Sequence, residues 1–204
     1  MKKICKPGFV WMTICVIMGF SHFTQSQSHY TITQTKESKM TMAGTSTLHD
    51  WDMTTQIFTG NAQFGFNPGN DGLNTLQSLT FSLVAQNLKS GQKGLDKNAY
   101  KALKTDQFQN IDYKLLSARV SPQKENQFLI KTQGNLTIAG ITKQVSMDVY
   151  CEINKDSTIT CRGSDKLKMS DYKVKPPTFM MGAMKTGDAI TLDFTMVYKK
   201  EAGI

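Results

Sequence analysis

The chain has 204 residues, with 24 Lys and Arg against 16 Asp and Glu, for a formal net charge of +8. This length suffices for a single domain with a substantial core. The basic residues are scattered without an arginine-rich run, which argues against nucleic-acid binding. The charge instead indicates solubility and a weak attraction to anionic surfaces.

The first 28 residues have the pattern of a secretory signal peptide. A basic start precedes an apolar run over residues 9–20, and the small residues Ser26 and Ser28 follow. The apolar run is shorter than the roughly 20 residues that cross a bilayer. We therefore expect cleavage after Ser28, one mature domain over residues 29–204, and a periplasmic or secreted location.

Beyond this segment the dominant hydrophobic period is two. Segments such as "VSMDVYCEI" and "ITLDFTMVY" alternate apolar and polar residues, and turn clusters such as "NPGNDG" and "NKDS" separate them. Such alternation is typical of half-buried strands. About eight strands with little helix predict an all-β fold, an antiparallel barrel or sandwich.

One short helix is predicted in "GLDKNAYKALKTD", with Asp96 as its N-cap. Lys97, Lys101 and Lys104 would form a basic stripe along one side of this helix. We interpret the stripe as a solvated face, and attraction to an anionic head group is the alternative.

Cys151 and Cys161 are the cysteines that remain after cleavage of the signal. Both lie on the apolar phase of their strands, and an odd-length turn between them places the two residues opposite each other. Because an exported protein matures in an oxidising compartment, we expect a disulfide. The alternative is two buried thiols.

The stretch "GTSTLHDWDM" raises the question of whether His49 performs chemistry. His22 leaves with the signal and His29 lies at the new N-terminus, so His49 lacks the further ligands that zinc requires. No G-x-S-x-G motif supplies a nucleophile. We expect no metal, no cofactor and no enzymatic activity. His49 and Trp51 would pack at a strand end or contact a ligand at a pocket rim, and hydrolytic or other catalysis by His49 is the alternative.

The segment "DYKVKPPTFMMGAMKTGD" is too apolar for an ordinary loop. Two prolines forbid a continuing central strand, and Phe179, Met180 and Met181 follow them. Apolar loops of this length act as lids over binding sites, and methionine adapts to irregular apolar shapes. The segment is either such a lid or a plug that closes one end of a barrel.

The chain resembles the YceI-like proteins, exported bacterial proteins associated with polyisoprenoid binding. The resemblance rests on "GTSTLHDWDM", "LKSGQKGLDKNAYKALKTDQFQNIDYKL", "GNLTIAGITKQVSMDV" and "LKMSDYKVKPPTFMMGAMKTGDAITLDF", which occur in family order. It implies an eight-stranded antiparallel, lipocalin-like barrel that opens with "GTSTLHDW" and carries a helix near its rim. It also implies an apolar interior that takes a long isoprenoid or fatty chain.

A barrel of this size holds its own side chains or one small ligand. On the resemblance, we expect the inward and rim positions to line the ligand pocket: His49, Trp51, Leu79, Phe81, Leu83, Phe108, Ile111, Tyr113, Phe128, Ile130, Val145, Met147, Val149, Phe179, Met180, Met181, Ile190, Leu192 and Phe194. The expected partner is a long-chain lipid or isoprenoid, and transient membrane-surface contact and a dimer are compatible with it. The rival architecture is an outer-membrane barrel with its apolar face outward.

Overall fold

A computed structural model describes residues 27–69, 72–179 and 184–201, with eleven strands, one α-helix and two 3₁₀ turns in those ranges. The strands are β1 (Gln27–Thr33), β2 (Lys39–Ser46), β3 (Trp51–Thr55), β4 (Thr59–Phe66), β5 (Leu73–Val84), β6 (Asn110–Lys124), β7 (Gln127–Ile138), β8 (Ile141–Ile153), β9 (Ile159–Lys168), β10 (Thr178–Phe179) and β11 (Met184–Lys200). The helical elements are η1 (Ala85–Asn87), α1 (Lys93–Leu103) and η2 (Met169–Tyr172).

Eight antiparallel strands form a closed ring in the order β1, β4, β5, β6, β7, β8, β9 and β11. Pairing of β1 with β11, where Thr33 lies opposite Val197, closes the ring. The predicted all-β, eight-stranded antiparallel barrel is therefore confirmed. Closure leaves no exposed edge in the ring, which protects it from strand-to-strand aggregation.

The barrel begins earlier than the expected "GTSTLHDW". Strands β1 and β2 follow one another along the same edge of β11, with Thr33 opposite Val197 and Lys39 opposite Thr195. Ser38 lies in the break between them, fully buried, and its hydroxyl donates to the Thr33 carbonyl at 2.8 Å. This hydrogen bond gives a partner to a backbone carbonyl at the point where the strand pairing is interrupted. Strand β1 also contains Ser28, and cleavage of a signal there remains a prediction.

Tight turns fix the register of neighbouring strands, and this register decides which side chains point into the barrel. Ile138 pairs with Ile141 across Ala139 and Gly140, which both have positive φ, 48° and 76°. Two positive φ values are the mark of a type I′ hairpin, whose twist matches that of the strands. Because side chains alternate with period two, this register directs Ile130 and Leu136 inward, where both are buried.

Helix α1 covers one end of the barrel. It begins after Gln92, not at Asp96, so the expected N-cap is wrong. Asp96 lies in the first turn and accepts hydrogen bonds from the Ser90 amide (2.8 Å) and hydroxyl (2.6 Å), which ties the preceding loop to the helix. Tyr100 Oη donates to the Leu88 carbonyl at 2.6 Å and anchors the helix to η1's loop. No helix in the described ranges is long and apolar enough to cross a bilayer.

Candidate ligand-binding site

An apolar cavity of about 310 Å³ lies between α1 and the end of the barrel. We call it the upper cavity. Its volume falls at the lower end of the range of roughly 300–1,000 Å³ that is typical of small-molecule sites. Its apolar wall consists of Met42, Trp51, Met53, Leu95, Ala99, Ala102, Leu103, Ile111, Ile138, Met169, Tyr172, Val174, Pro177 and Ile190.

A second cavity of about 100 Å³, the lower cavity, lies deeper in the barrel. Four residues, Met42, Ile111, Ile138 and Ile190, line both cavities, so the two adjoin. Along β11 the upper cavity contacts Thr186 and Ile190, whereas the lower cavity is lined by inward residues from Ile190 to Tyr198. The two cavities therefore follow one another along the barrel axis.

The far end of the barrel is closed by aromatic rings. Tyr30 packs edge-to-face on Phe64, with ring centroids 5.3 Å apart, and Phe64 packs the same way on Tyr198 at 5.7 Å. Edge-to-face pairs at this distance are favourable beyond the area they bury. All three side chains are almost fully buried. We call these three rings the floor and the opposite, α1 end the mouth, where the exposed residues His49 and Gln92 line the upper cavity.

The described walls of both cavities are almost entirely apolar. Among the described residues, no Lys, Arg, Asp or Glu lines either cavity. The polar groups of the upper cavity, including Gln92 and Asn98, lie toward its exposed side. This arrangement suits an apolar ligand, since a buried charge without a partner is strongly unfavourable.

Two phenols face the lower cavity. Tyr113 is 7% exposed, and its hydroxyl is buried beside Thr132. Burial raises the pKa of Tyr113, and the neighbouring Thr132 hydroxyl offsets the rise only in part. The hydroxyl of Tyr198 reaches the Met196 sulfur at 3.8 Å, a weak acceptor. Burial raises the pKa of Tyr198 far above its usual range.

The predicted disulfide is confirmed. Cys151 and Cys161 are direct register partners on β8 and β9, with Cα atoms 4.2 Å apart, and their sulfurs are bonded. Both side chains are buried and line the lower cavity near the floor. The bond therefore braces the closed end of the barrel.

His49 lies at the mouth and lines the upper cavity, but it is exposed. Its Nδ1 donates to the Asp50 carbonyl at 2.8 Å, and the Ser46 hydroxyl donates to the His49 carbonyl at 2.7 Å. Because Ser46 gives its proton to a backbone carbonyl, it is not aligned as a nucleophile activated by the imidazole. No group of three or more metal-ligating side chains occurs in the part of the chain that the structure describes.

Trp51 forms part of the wall beside His49. Its indole N–H donates to the Thr45 carbonyl at 3.1 Å, and its ring lies over Gly44, its cross-strand partner. A Cβ at Gly44 would overlap the indole, so glycine is required for the ring to lie flat against the strand. Trp51 and His49 thus shape the rim of the upper cavity.

The structure brings together most of the predicted pocket residues. The lower cavity is lined by Leu79, Phe81, Leu83, Ile111, Tyr113, Ile130, Met147, Val149, Ile190, Leu192 and Phe194. Phe128 and Val145 pack in or against the core without lining a cavity. Phe108 is 37% exposed and lies over Gly140, outside both cavities. The side chains of Phe179, Met180 and Met181 lie outside the described residues. Both interpretations of this segment, as a lid and as a plug, therefore remain predictions.

Several wall residues were not predicted from the sequence. Leu95, Ala99 and Leu103 line the upper cavity from α1, and Met169 and Tyr172 line it from η2. The spacing of Leu95, Ala99 and Leu103 marks one face of a helix, but only the packing of α1 across the barrel end shows that this face meets a cavity.

The fold and the site together define a class of protein: a closed β-barrel with apolar cavities beneath a helix. A family model described as YceI-like domain matches residues 23–198. The chain belongs to the YceI-like family. A comparison with the curated proteins gave no match.

Several solved structures share the fold. BcnA from Burkholderia cenocepacia is 17% identical, with a TM-score of 0.61 over 78% of this chain and 95% of that one. A polyisoprenoid binding domain from Saccharophagus degradans, implicated in plant cell wall breakdown, is 10% identical, with a TM-score of 0.62 over 86% and 100%. The YceI protein of Campylobacter jejuni is 19% identical, with a TM-score of 0.51 over 71% and 82%.

Proposed function

We propose that this protein is an exported carrier that holds a long isoprenoid or fatty chain inside its barrel. The observation that carries the proposal is the pair of adjoining apolar cavities, which extend from the mouth toward the aromatic floor. Burial of each CH₂ group in such a site contributes roughly 0.8 kcal/mol. A chain that runs along the barrel axis therefore gains affinity with its length.

The family supports this assignment. The fold is shared with a domain described as polyisoprenoid binding in Saccharophagus degradans. The signal-like first segment and the Cys151–Cys161 disulfide support export, because disulfides persist in oxidising compartments. A carrier in the periplasm or outside the cell is the role that these features share.

Methionine side chains allow the cavities to change shape. Met40, Met42, Met147 and Met196 line the lower cavity. Their unbranched side chains fill irregular spaces and change rotamer easily. We infer that a bound chain fills the upper cavity first and extends into the lower cavity as these side chains turn aside.

Displacement of Nile red by geraniol, farnesol and geranylgeraniol tests the proposal. Affinity should rise by at least about tenfold per added isoprene unit until the cavities are full. Native mass spectrometry of protein from its own host should show a bound lipid and its mass. Equal affinity for the three alcohols would mean that the barrel is packed solid and does not hold a chain.

A steric variant locates the chain. Met147 lines the lower cavity, so Met147→Trp should cut the affinity for geranylgeraniol more than that for geraniol. Leu116→Trp is the matched control, because Leu116 is 52% exposed on β6 and receives the same bulk away from the cavities. Circular dichroism should first establish that both variants fold, since overpacking costs roughly 1–3 kcal/mol. Wild-type affinities in a folded Met147→Trp variant would place the chain elsewhere.

A further inference from the structure

A basic groove runs along the outer side of α1, on the face of the helix that points away from the upper cavity. The loop before α1 and the turn after it form the other walls of this groove. Five lysines and two aspartates line it, which gives a net charge of +3: Lys89, Lys93, Lys97, Lys101, Lys104, Asp96 and Asp106. The basic stripe predicted on this helix is therefore one wall of a larger basic surface.

The fold does not neutralise the lysines of the groove. Among the described residues, none of the five forms an ion pair with a carboxylate. The Asp96 carboxylate instead accepts hydrogen bonds from the Ser90 amide and hydroxyl. Lys89 donates to a neutral partner, the Tyr100 hydroxyl, at 2.9 Å, and this hydrogen bond raises the pKa of Lys89. The groove thus presents cations whose counter-charge must come from outside the chain.

Exposed apolar side chains border the groove. Phe108, which is 37% exposed, directly follows Gln107 of the groove lining, and Val84, which is 45% exposed, directly precedes η1. The Ala85 amide donates to the Gln109 carbonyl at 2.8 Å and holds these two segments side by side. Lysines beside exposed apolar residues are typical of proteins that bind the surface of an anionic bilayer.

The groove and the mouth lie on two sides of the same helix. Asn98 of α1 lines both the groove and the upper cavity. A surface in contact with the groove lysines therefore lies about one helix diameter, roughly 10–12 Å, from the upper cavity. The distance that an apolar chain travels through water between that surface and the cavity is correspondingly short.

We propose that the α1 end of the barrel docks on a bilayer of anionic phospholipid, with the lysines of the groove against the head groups and with Phe108 and Val84 at the interface. The surface potential of an anionic leaflet attracts each basic residue close to it. Because the lysines are exposed, salt weakens this attraction. Transfer of a chain between the bilayer and the mouth rests on the proposed function, whereas the docking itself does not.

Sedimentation with vesicles tests the docking. The probes are vesicles of phosphatidylcholine alone and vesicles that mix phosphatidylcholine with phosphatidylglycerol. At low ionic strength the wild type should bind the anionic vesicles at least about tenfold more tightly than the neutral ones, and added salt should reduce this preference.

Two double variants then locate the binding surface. Lys97→Gln with Lys101→Gln should weaken binding to the anionic vesicles by about tenfold or more, since each lysine near the surface contributes roughly fivefold. Lys124→Gln with Lys155→Gln is the matched control, because these lysines lie exposed at the β6–β7 and β8–β9 turns of the floor end. The control should bind as the wild type does. Both double variants should keep the wild-type affinity for geranylgeraniol in solution, because none of the four lysines lines a cavity.

Several results would overturn the docking surface. Equal binding to neutral and anionic vesicles, or equal binding by the two double variants, would remove the groove from any membrane contact. Release from the anionic vesicles by inorganic phosphate at constant ionic strength would show that the groove holds a free phosphate. Retention on heparin without binding to the anionic vesicles would identify a soluble polyanion as the partner.

The two proposals fail separately. In each of the cases above, geranylgeraniol still displaces Nile red in solution and the carrier function stands. If geranylgeraniol does not displace Nile red but the lysine-dependent binding to anionic vesicles is present, the carrier function is overturned and the docking surface stands.

Discussion

The two ends of the barrel are built in opposite ways. At the floor, Tyr30, Phe64 and Tyr198 interlock and the disulfide joins β8 to β9 beside them. At the mouth, α1 lies across the barrel end above a cavity of about 310 Å³, and Leu95 and Trp51 are only half-buried there. Close packing and empty apolar space thus occupy the same barrel.

This contrast separates stability from binding. Buried aromatic side chains contribute most to stability because deletion of a large core side chain leaves a cavity. Apolar residues at a cavity wall lack part of their packing partners and contribute less. We therefore expect changes at the floor to lower stability and changes at the mouth to alter binding.

The largest expected effect is at the floor. Phe64 is fully buried and contacts both Tyr30 and Tyr198. Phe64→Ala should lower the free energy of unfolding by about 3–5 kcal/mol, whereas Leu95→Ala at the mouth should lower it by about 1 kcal/mol or less. Urea unfolding of both variants measures this difference. Equal losses would erase the distinction between the two ends.

The disulfide gives the next largest effect. It closes a short loop between residues 10 apart in sequence, so reduction should lower the free energy of unfolding by roughly 2–3 kcal/mol. The measurement is urea unfolding with and without reductant. Thiol labelling of the unfolded, unreduced protein should leave Cys151 and Cys161 unlabelled, and label on both would contradict the bond.

A smaller effect on stability and a clear effect on binding are expected at α1. Leu95→Ser removes an apolar wall residue of the upper cavity and should speed dissociation of geranylgeraniol several-fold, because apolar contact with the chain is lost. Lys97→Ser, on the exposed side of the same helix, is the matched control. Stopped-flow displacement gives both rates. A similar rate in the two variants would remove α1 from the binding site.

The smallest effect concerns pH and the wall that η2 contributes to the mouth. Asp188 accepts hydrogen bonds from the Ser170 hydroxyl (2.6 Å) and amide (2.8 Å), which lower the pKa of Asp188 below its ordinary value. A lowered folded-state pKa means that ionised Asp188 stabilises the fold above the ordinary carboxyl pKa, roughly pH 4. This contribution is lost as the pH falls through the folded-state pKa.

The substitution Asp188→Asn tests the interaction between Asp188 and Ser170 directly. The variant should be slightly less stable than the wild type at pH 7, and the difference in urea midpoint should shrink as the pH falls below about 4. Ser170→Ala should show the same pH dependence, since it removes the hydroxyl donor to the carboxylate. A difference that stays constant with pH would mean that the Asp188 charge does not hold η2.

Much of the fold could be predicted from local pattern. Alternation in "VSMDVYCEI" assigns Met147, Val149 and Cys151 to the barrel interior, and the structure places all three on the wall of the lower cavity. The pairing of Cys151 with Cys161 follows from the same period, because an odd-length turn brings like phases opposite each other. These features depend on residues that are close in sequence, and for that reason the sequence alone predicts them.

The tertiary structure decided the rest. Phe108 has an apolar side chain like the wall residues, yet it lies over Gly140 outside the cavities. The break at Ser38, the position of α1 over the mouth and the empty volume beneath it all depend on how distant strands close the ring. By itself the sequence determined which faces are apolar, since side-chain direction follows the backbone period. Whether those faces meet or leave space between them depends on the volume that remains when the eight strands have closed, and that volume is a property of the whole barrel.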